Sequence, residues 1–89
     1  MPTRPPLTVP SSLDLRDVPA TEARTRAFAG MFKVRPGGKI AMLVNHAAVE
    51  GEILKWAEEI GHRYLRTTRV EDNGHSHASL EFIKLDARR

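Results

Sequence analysis

Apolar residues recur along this chain in two rhythms. Leu13-Asp14-Leu15-Arg16 alternates apolar with charged side chains, which predicts a short strand with Leu13 and Leu15 facing inward. Ala20, Ala23, Ala27 and Met31 then step by three or four, with Phe28 and Phe32 alongside. That spacing predicts a helix through Phe32 burying one apolar stripe. Ile40–Val44 (IAMLV) is a continuous apolar run beside glycines, the pattern of a central strand covered by helices. Val49, Ile53, Trp56, Ala57 and Ile60 give the cleanest helical spacing in the chain, and Gly61 stands where a left-handed C-cap belongs. Arg63–Val70 carries the strand propensity of Tyr64, Thr67, Thr68 and Val70. His75–Ile83 alternates again, with Ala78, Leu80 and Phe82 inward and His77, Ser79 and Glu81 outward.

Turn and cap residues punctuate these segments. Thr21 is the predicted N-cap of the first helix, with Glu22 favourable in its first turn. Asn45 or His46 opens the second helix. Arg35-Pro36-Gly37-Gly38 is a turn, and Glu71-Asp72-Asn73-Gly74 is a hairpin loop, since Asn-Gly favours positive φ. The order is β-α-β-α-β-β. It predicts an α+β fold: a two-layer sandwich with a four-stranded mixed sheet and both helices on one face. Residues 13–85 form that domain. Residues 1–12, with four prolines, are a flexible or extended lead-in, and residues 86–89 are a frayed tail.

Eighty-nine residues suit one small domain. The chain has no cysteine, which excludes disulfides and cysteine-bearing metal sites. The net charge of +3 is mild, but five bases and no acid lie between Ala23 and Ala48, while acids gather in Glu50–Glu59. A basic first half beside an acidic helix predicts a dipolar surface suited to an acidic partner or anion. No signal peptide or membrane anchor is predicted, so a cytoplasmic location is expected.

Chemistry-bearing residues are sparse. His75 and His77 would share one face of a strand, and imidazoles are good metal ligands, but two beside an Asn-Gly turn do not complete a site. His46 and His62 fall at opposite ends of the second helix. Asp14 has no nucleophile or second carboxylate spaced to work with it, and is expected to anchor a loop through Arg16 or backbone amides. Trp56 belongs to the apolar stripe. RPGGK lacks the spacing and trailing hydroxyl of a phosphate loop. No cofactor is expected.

LDLRDVPATEA (Leu13–Ala23), followed by RPGGKIAMLV and NHAAVEGEILKWAEEIGH, resembles the TusA/SirA/YedF family of small sulfur-carrier proteins over about Leu13–Lys84. The family opens roughly with L-D-x-R-G-L-x-C-P-x-P. Leu13, Asp14, Arg16 and Val18 fit it, whereas Asp17 replaces the glycine, Ala20 the cysteine and Thr21 the first proline. In that family the cysteine carries a persulfide at a helix N-terminus, where amides and the helix dipole favour thiolate. The resemblance therefore implies the scaffold and a docking face, without sulfur relay. That face would comprise Asp14, Arg16, Ala20, Thr21, Glu22 and Arg24. Expected partners are proteins of sulfur trafficking: a desulfurase, another carrier or a reductase-type complex.

Two other readings stay open. The same order of elements resembles the C-terminal domain of translation initiation factor 3, implying an RNA- or ribosome-associated module. Against it, aromatics are few and sit mostly on predicted core stripes. A small enzyme is the least supported, because nothing in the chain assembles a nucleophile, base and orienter.

Overall fold

The computed structural model describes residues 11–85, with the side chains of Ser11 and Asp72 excepted. Most of the predicted lead-in, and the predicted tail at 86–89, lie outside them. Among the described residues the order is β1 (Ser11–Asp14), α1 (Ala20–Phe32), β2 (Lys39–Val44), α2 (Ala47–Ile60), β3 (Arg63–Asp72) and β4 (His75–Ile83). They form one four-stranded sheet in the order β1-β2-β4-β3. β1 and β2 are parallel, and β4 is antiparallel to both its neighbours. The α+β sandwich predicted by the hydrophobic pattern is the one observed, though β1 starts at Ser11, inside the predicted lead-in.

Alternation along the central strands builds the core. Ile40, Met42 and Val44 of β2 lie opposite Phe82, Leu80 and Ala78 of β4, and all six are buried. Ala23, Ala27 and Met31 of α1 and Val49, Ile53, Trp56 and Ala57 of α2 cover that face. Phe82, Leu80 and Ile53 are fully buried. Each contributes roughly 1.5–3 kcal/mol relative to exposure. Leu15, just past β1, extends the sheet by donating its N–H to the Leu43 carbonyl at 2.8 Å, and it closes the core beneath α1.

Three assignments along the first helix change. Pro19, in extended conformation, is the N-cap of α1, with no side-chain cap bond. Thr21 therefore lies inside the first turn, not at the cap. Phe28 and Phe32 are exposed (60% and 74%), and Ala20 is exposed as well. The inward stripe is Ala23, Ala27 and Met31, and rings at 28 and 32 lie about 100° around the helix from their preceding stripe residues. Small residues are needed where α1 meets the sheet. A Cβ on Gly30 would lie 2.6 Å from Leu13 Cδ2, so the helix and β1 are nearly in contact there.

The second half follows its pattern closely. His46 is the N-cap of α2, and Gly61 is its left-handed C-cap at φ 104°, donating to the Ala57 carbonyl at 2.9 Å. Ile60, predicted on the stripe, is 46% exposed at the helix end. The hairpin loop is shorter than predicted. Glu71 and Asp72 stay in β3, and Asn73-Gly74 alone make the turn, both with positive φ (53° and 80°). A two-residue turn of that sense matches the twist of the strands it joins.

Candidate functional site

The start of α1 lies where β1 ends, beside the loop that follows β2. Leu15 closes the core and the chain then turns through Arg16 and Asp17 to reach Pro19. Asp17 adopts φ 65°. Asp tolerates this left-handed region better than most residues. Its N–H donates to Asn45 Oδ1 at 2.9 Å, and Asn45 Nδ2 donates to Asp17 Oδ1 at 3.0 Å. This reciprocal clamp ties the β1–α1 loop to the residue after β2, 28 positions away.

Asp14 anchors the same loop, as its sequence setting suggests. Its Oδ1 accepts the Arg16 backbone N–H at 3.0 Å and Nε at 2.9 Å, and its Oδ2 accepts Nη2 at 2.8 Å. Hydrogen bonds from the Arg16 side chain, then from its backbone, hold the Asp14 carboxyl down at about 2, against an ordinary 3.8. His77 contributes weakly in the same direction. Both partners remain half-exposed, so the pair orients the loop more than it stabilises the fold.

Pro19 has no N–H to leave unpaired, and its carbonyl accepts the Glu22 N–H at 2.9 Å. Ala20 and Thr21 are exposed in the first turn, where helix amides lack intrahelical partners. A methyl group is therefore what the chain presents at the start of the helix. The charged residues predicted around it are engaged elsewhere. Glu22 accepts Arg26 one turn on, at 3.1 and 3.2 Å. Arg24 turns to the second helix, where its guanidinium is held by Glu59 and Glu52. Glu59 first, then Glu52, push the Arg24 pKa up, and Arg24 pulls that of Glu59 down. The structure thus brings Asp14 and Arg16 together and sets Ala20, Thr21 and Glu22 on one exposed turn. It removes Arg24 from their company. Of the bases in the predicted basic segment, Arg24 pairs across to the acids of the second helix.

An open cleft of about 350 Å³ adjoins this loop, lined by Asp14, Arg16, Asp17, Asn45, Ser76, His75 and His77. The two histidines do reach one place. Among the described residues, however, no three His, Asp or Glu groups are placed to hold a metal ion. Asn45 is the site residue that sequence reasoning missed. The available signal was an amide residue between a buried strand and a helix, a position that favours side-chain bonds to nearby backbone.

The fold and this helix start define a class: a two-layer sandwich of β-α-β-α-β-β order whose first helix opens immediately after the first strand, the SirA-like fold. The chain is similar to a SirA-like protein from Desulfitobacterium hafniense, known from a crystal structure, with a TM-score of 0.61 and 15% sequence identity. The match covers 83% of this chain and 96% of that one. At that identity the likeness is one of fold. No family model matches the chain, and no curated protein sequence matches it. Among the described residues no helix is long and apolar enough to cross a membrane.

Proposed function

We propose that this protein is a non-catalytic relative of the sulfur carriers, one that binds or regulates sulfur-transfer proteins without carrying persulfide itself. One observation carries the proposal: an exposed alanine, Ala20, opens α1 in a SirA-like fold whose 89 residues hold no cysteine. A methyl cannot attack a sulfur donor or carry sulfur. The surroundings still offer a docking face. Ala20 and Thr21 offer first-turn amides and small side chains, and the Asp14–Arg16 pair and the Asp17–Asn45 clamp fix the loop beside them. A desulfurase, a cysteine-bearing carrier or a reductase-type complex would dock there in a cytoplasmic setting.

Two measurements test this. Binding to a cysteine desulfurase, followed by calorimetry, should weaken on Thr21→Arg and on Arg16→Glu. No binding, or binding indifferent to both changes, sinks the proposal. Ala20→Cys is the sharper test. The new thiol should titrate below the ordinary 8.5 because it sits at a helix N-terminus. It should also accept sulfur from the desulfurase in a radiolabel assay. A reactive thiol that the desulfurase never loads would mean that the docking face is not kept.

A further inference from the structure

The opposite end of α1 carries a second surface. Phe28 and Phe32 are 60% and 74% exposed, one turn apart, with ring centroids 6.4 Å apart and planes tilted by 36°. They form an i, i+4 ridge, the geometry that packs into another helix. The turn after α1 is pinned to the end of β4. Gly37 N–H donates to the Lys84 carbonyl at 3.0 Å, and Lys84 N–H donates to the Gly38 carbonyl at 2.8 Å. Lys84 Nζ donates to the Val34 carbonyl at 2.7 Å and lies 5.9 Å above the centre of the Phe32 ring. Lys33 and Arg35 are exposed on this turn. The arginines earlier in α1 are paired, Arg24 with Glu52 and Glu59 and Arg26 with Glu22. Among the described residues neither Lys33 nor Arg35 has an ion-pair partner, and no acid occurs between Ala23 and Ala48.

We infer that Phe28, Phe32, Lys33, Arg35 and Lys84 form a docking surface for an acidic amphipathic helix of a partner protein. Two neighbouring rings supply the apolar anchors, and the uncompensated cations select carboxylates at the rim. A single-stranded nucleic acid fits less well. Lys84 already occupies a face of Phe32, and the tilted rings do not offer parallel platforms for successive bases. A second copy of this patch would bring like charges together across a two-fold axis.

The probe is a fluorescein-labelled synthetic helix with leucines at i, i+3, i+4 and i+7 and glutamates flanking them. It should bind, with amide shifts in the labelled protein confined to residues 28–39 and to Lys84. Affinity should fall at least about tenfold in Phe28→Ser/Phe32→Ser, and comparably in Lys33→Glu/Arg35→Glu or when the peptide glutamates become glutamines. Circular dichroism checks that each variant folds, and the charge-reversal variant leaves the rings in place. Desulfurase binding at the Ala20 end should be unchanged by these variants, so the two surfaces fail separately. The inference is overturned if the peptide does not bind, or if its shifts map elsewhere. It is also overturned if oligo(dT) binds these residues more tightly, or if sedimentation shows a dimer that Phe28→Ser/Phe32→Ser dissolves.

Discussion

The two ends of α1 are built on opposite plans. At its start, polar groups are used up within the molecule: Asp14 holds Arg16, Asp17 holds Asn45, Glu22 holds Arg26, and Arg24 is drawn across to α2. At its finish, two rings and two cations face outward with little from their own chain to satisfy them. The first end is held in one shape by its own polar groups and exposes small side chains. The second end leaves apolar area and charge available. The first end offers a partner a preset shape of small groups, and the second offers apolar area and charge that the fold leaves uncompensated.

Substitutions at the two ends should separate these plans by size of effect. Asp17→Val should be the most damaging, costing about 2–3 kcal/mol in urea unfolding. It puts a β-branched residue at positive φ and leaves Asn45 Nδ2 without the carboxylate oxygen that accepts it. Asp17→Gly should cost less than about 1 kcal/mol, because relief of backbone strain offsets the lost side chain. Equal effects of valine and glycine would show that the left-handed backbone contributes nothing. Asn45→Ala should fall between, at about 1–2 kcal/mol.

Acid should loosen the two ends in different windows. His62 lies at the far end, where Nδ1 accepts the Leu85 N–H at 2.9 Å. Burial, then Lys84, lower its pKa from 6.5. As pH falls below 6.5 the unfolded chain takes up a proton that the folded protein refuses, so stability present above 6.5 is lost through that interval. Leu85 amide exchange should accelerate there, and His62→Gln should flatten the dependence. Asp14, by contrast, keeps its charge to about 2 in the folded protein, against 3.8. Its contribution is complete above 3.8 and is lost as pH falls from there to about 2. This loss should be small and should shrink in salt, since the pair is exposed. A single transition common to the Leu85 amide and the Arg16 side chain would break the distinction. The smallest change is expected from Phe28→Ser and Phe32→Ser, each within about 0.5 kcal/mol in urea unfolding, because rings already in water leave no cavity behind.

What was legible in the sequence was whatever depends on near neighbours. IAMLV, the α2 stripe, Gly61 and Asn73-Gly74 each encode their conformation within a few residues; β2 begins one residue earlier than expected, Ile60 drops off the stripe, and the hairpin turn is two residues shorter. Thr21 misled because a hydroxyl is the usual cap signal. Pro19, with its fixed φ, brings the helix start to Ala20 instead. Phe28 and Phe32 misled because aromatic residues are presumed to be core. Here Gly30 lies so close to Leu13 that the inward face has room only for alanines and one methionine. The fates of Arg24 and Asn45 were not legible at all. Their partners lie 28 or more residues away, and only the packed helices and loops bring them within reach.

The Asp17–Asn45 clamp also bears on how such sequences drift. Glycine at position 17 would take the left-handed turn with no Cβ to strain it. Aspartate instead shares the turn with an amide 28 positions away, so a change at either site is felt at the other. Position 45 should therefore vary more freely in a chain that has already placed glycine at position 17.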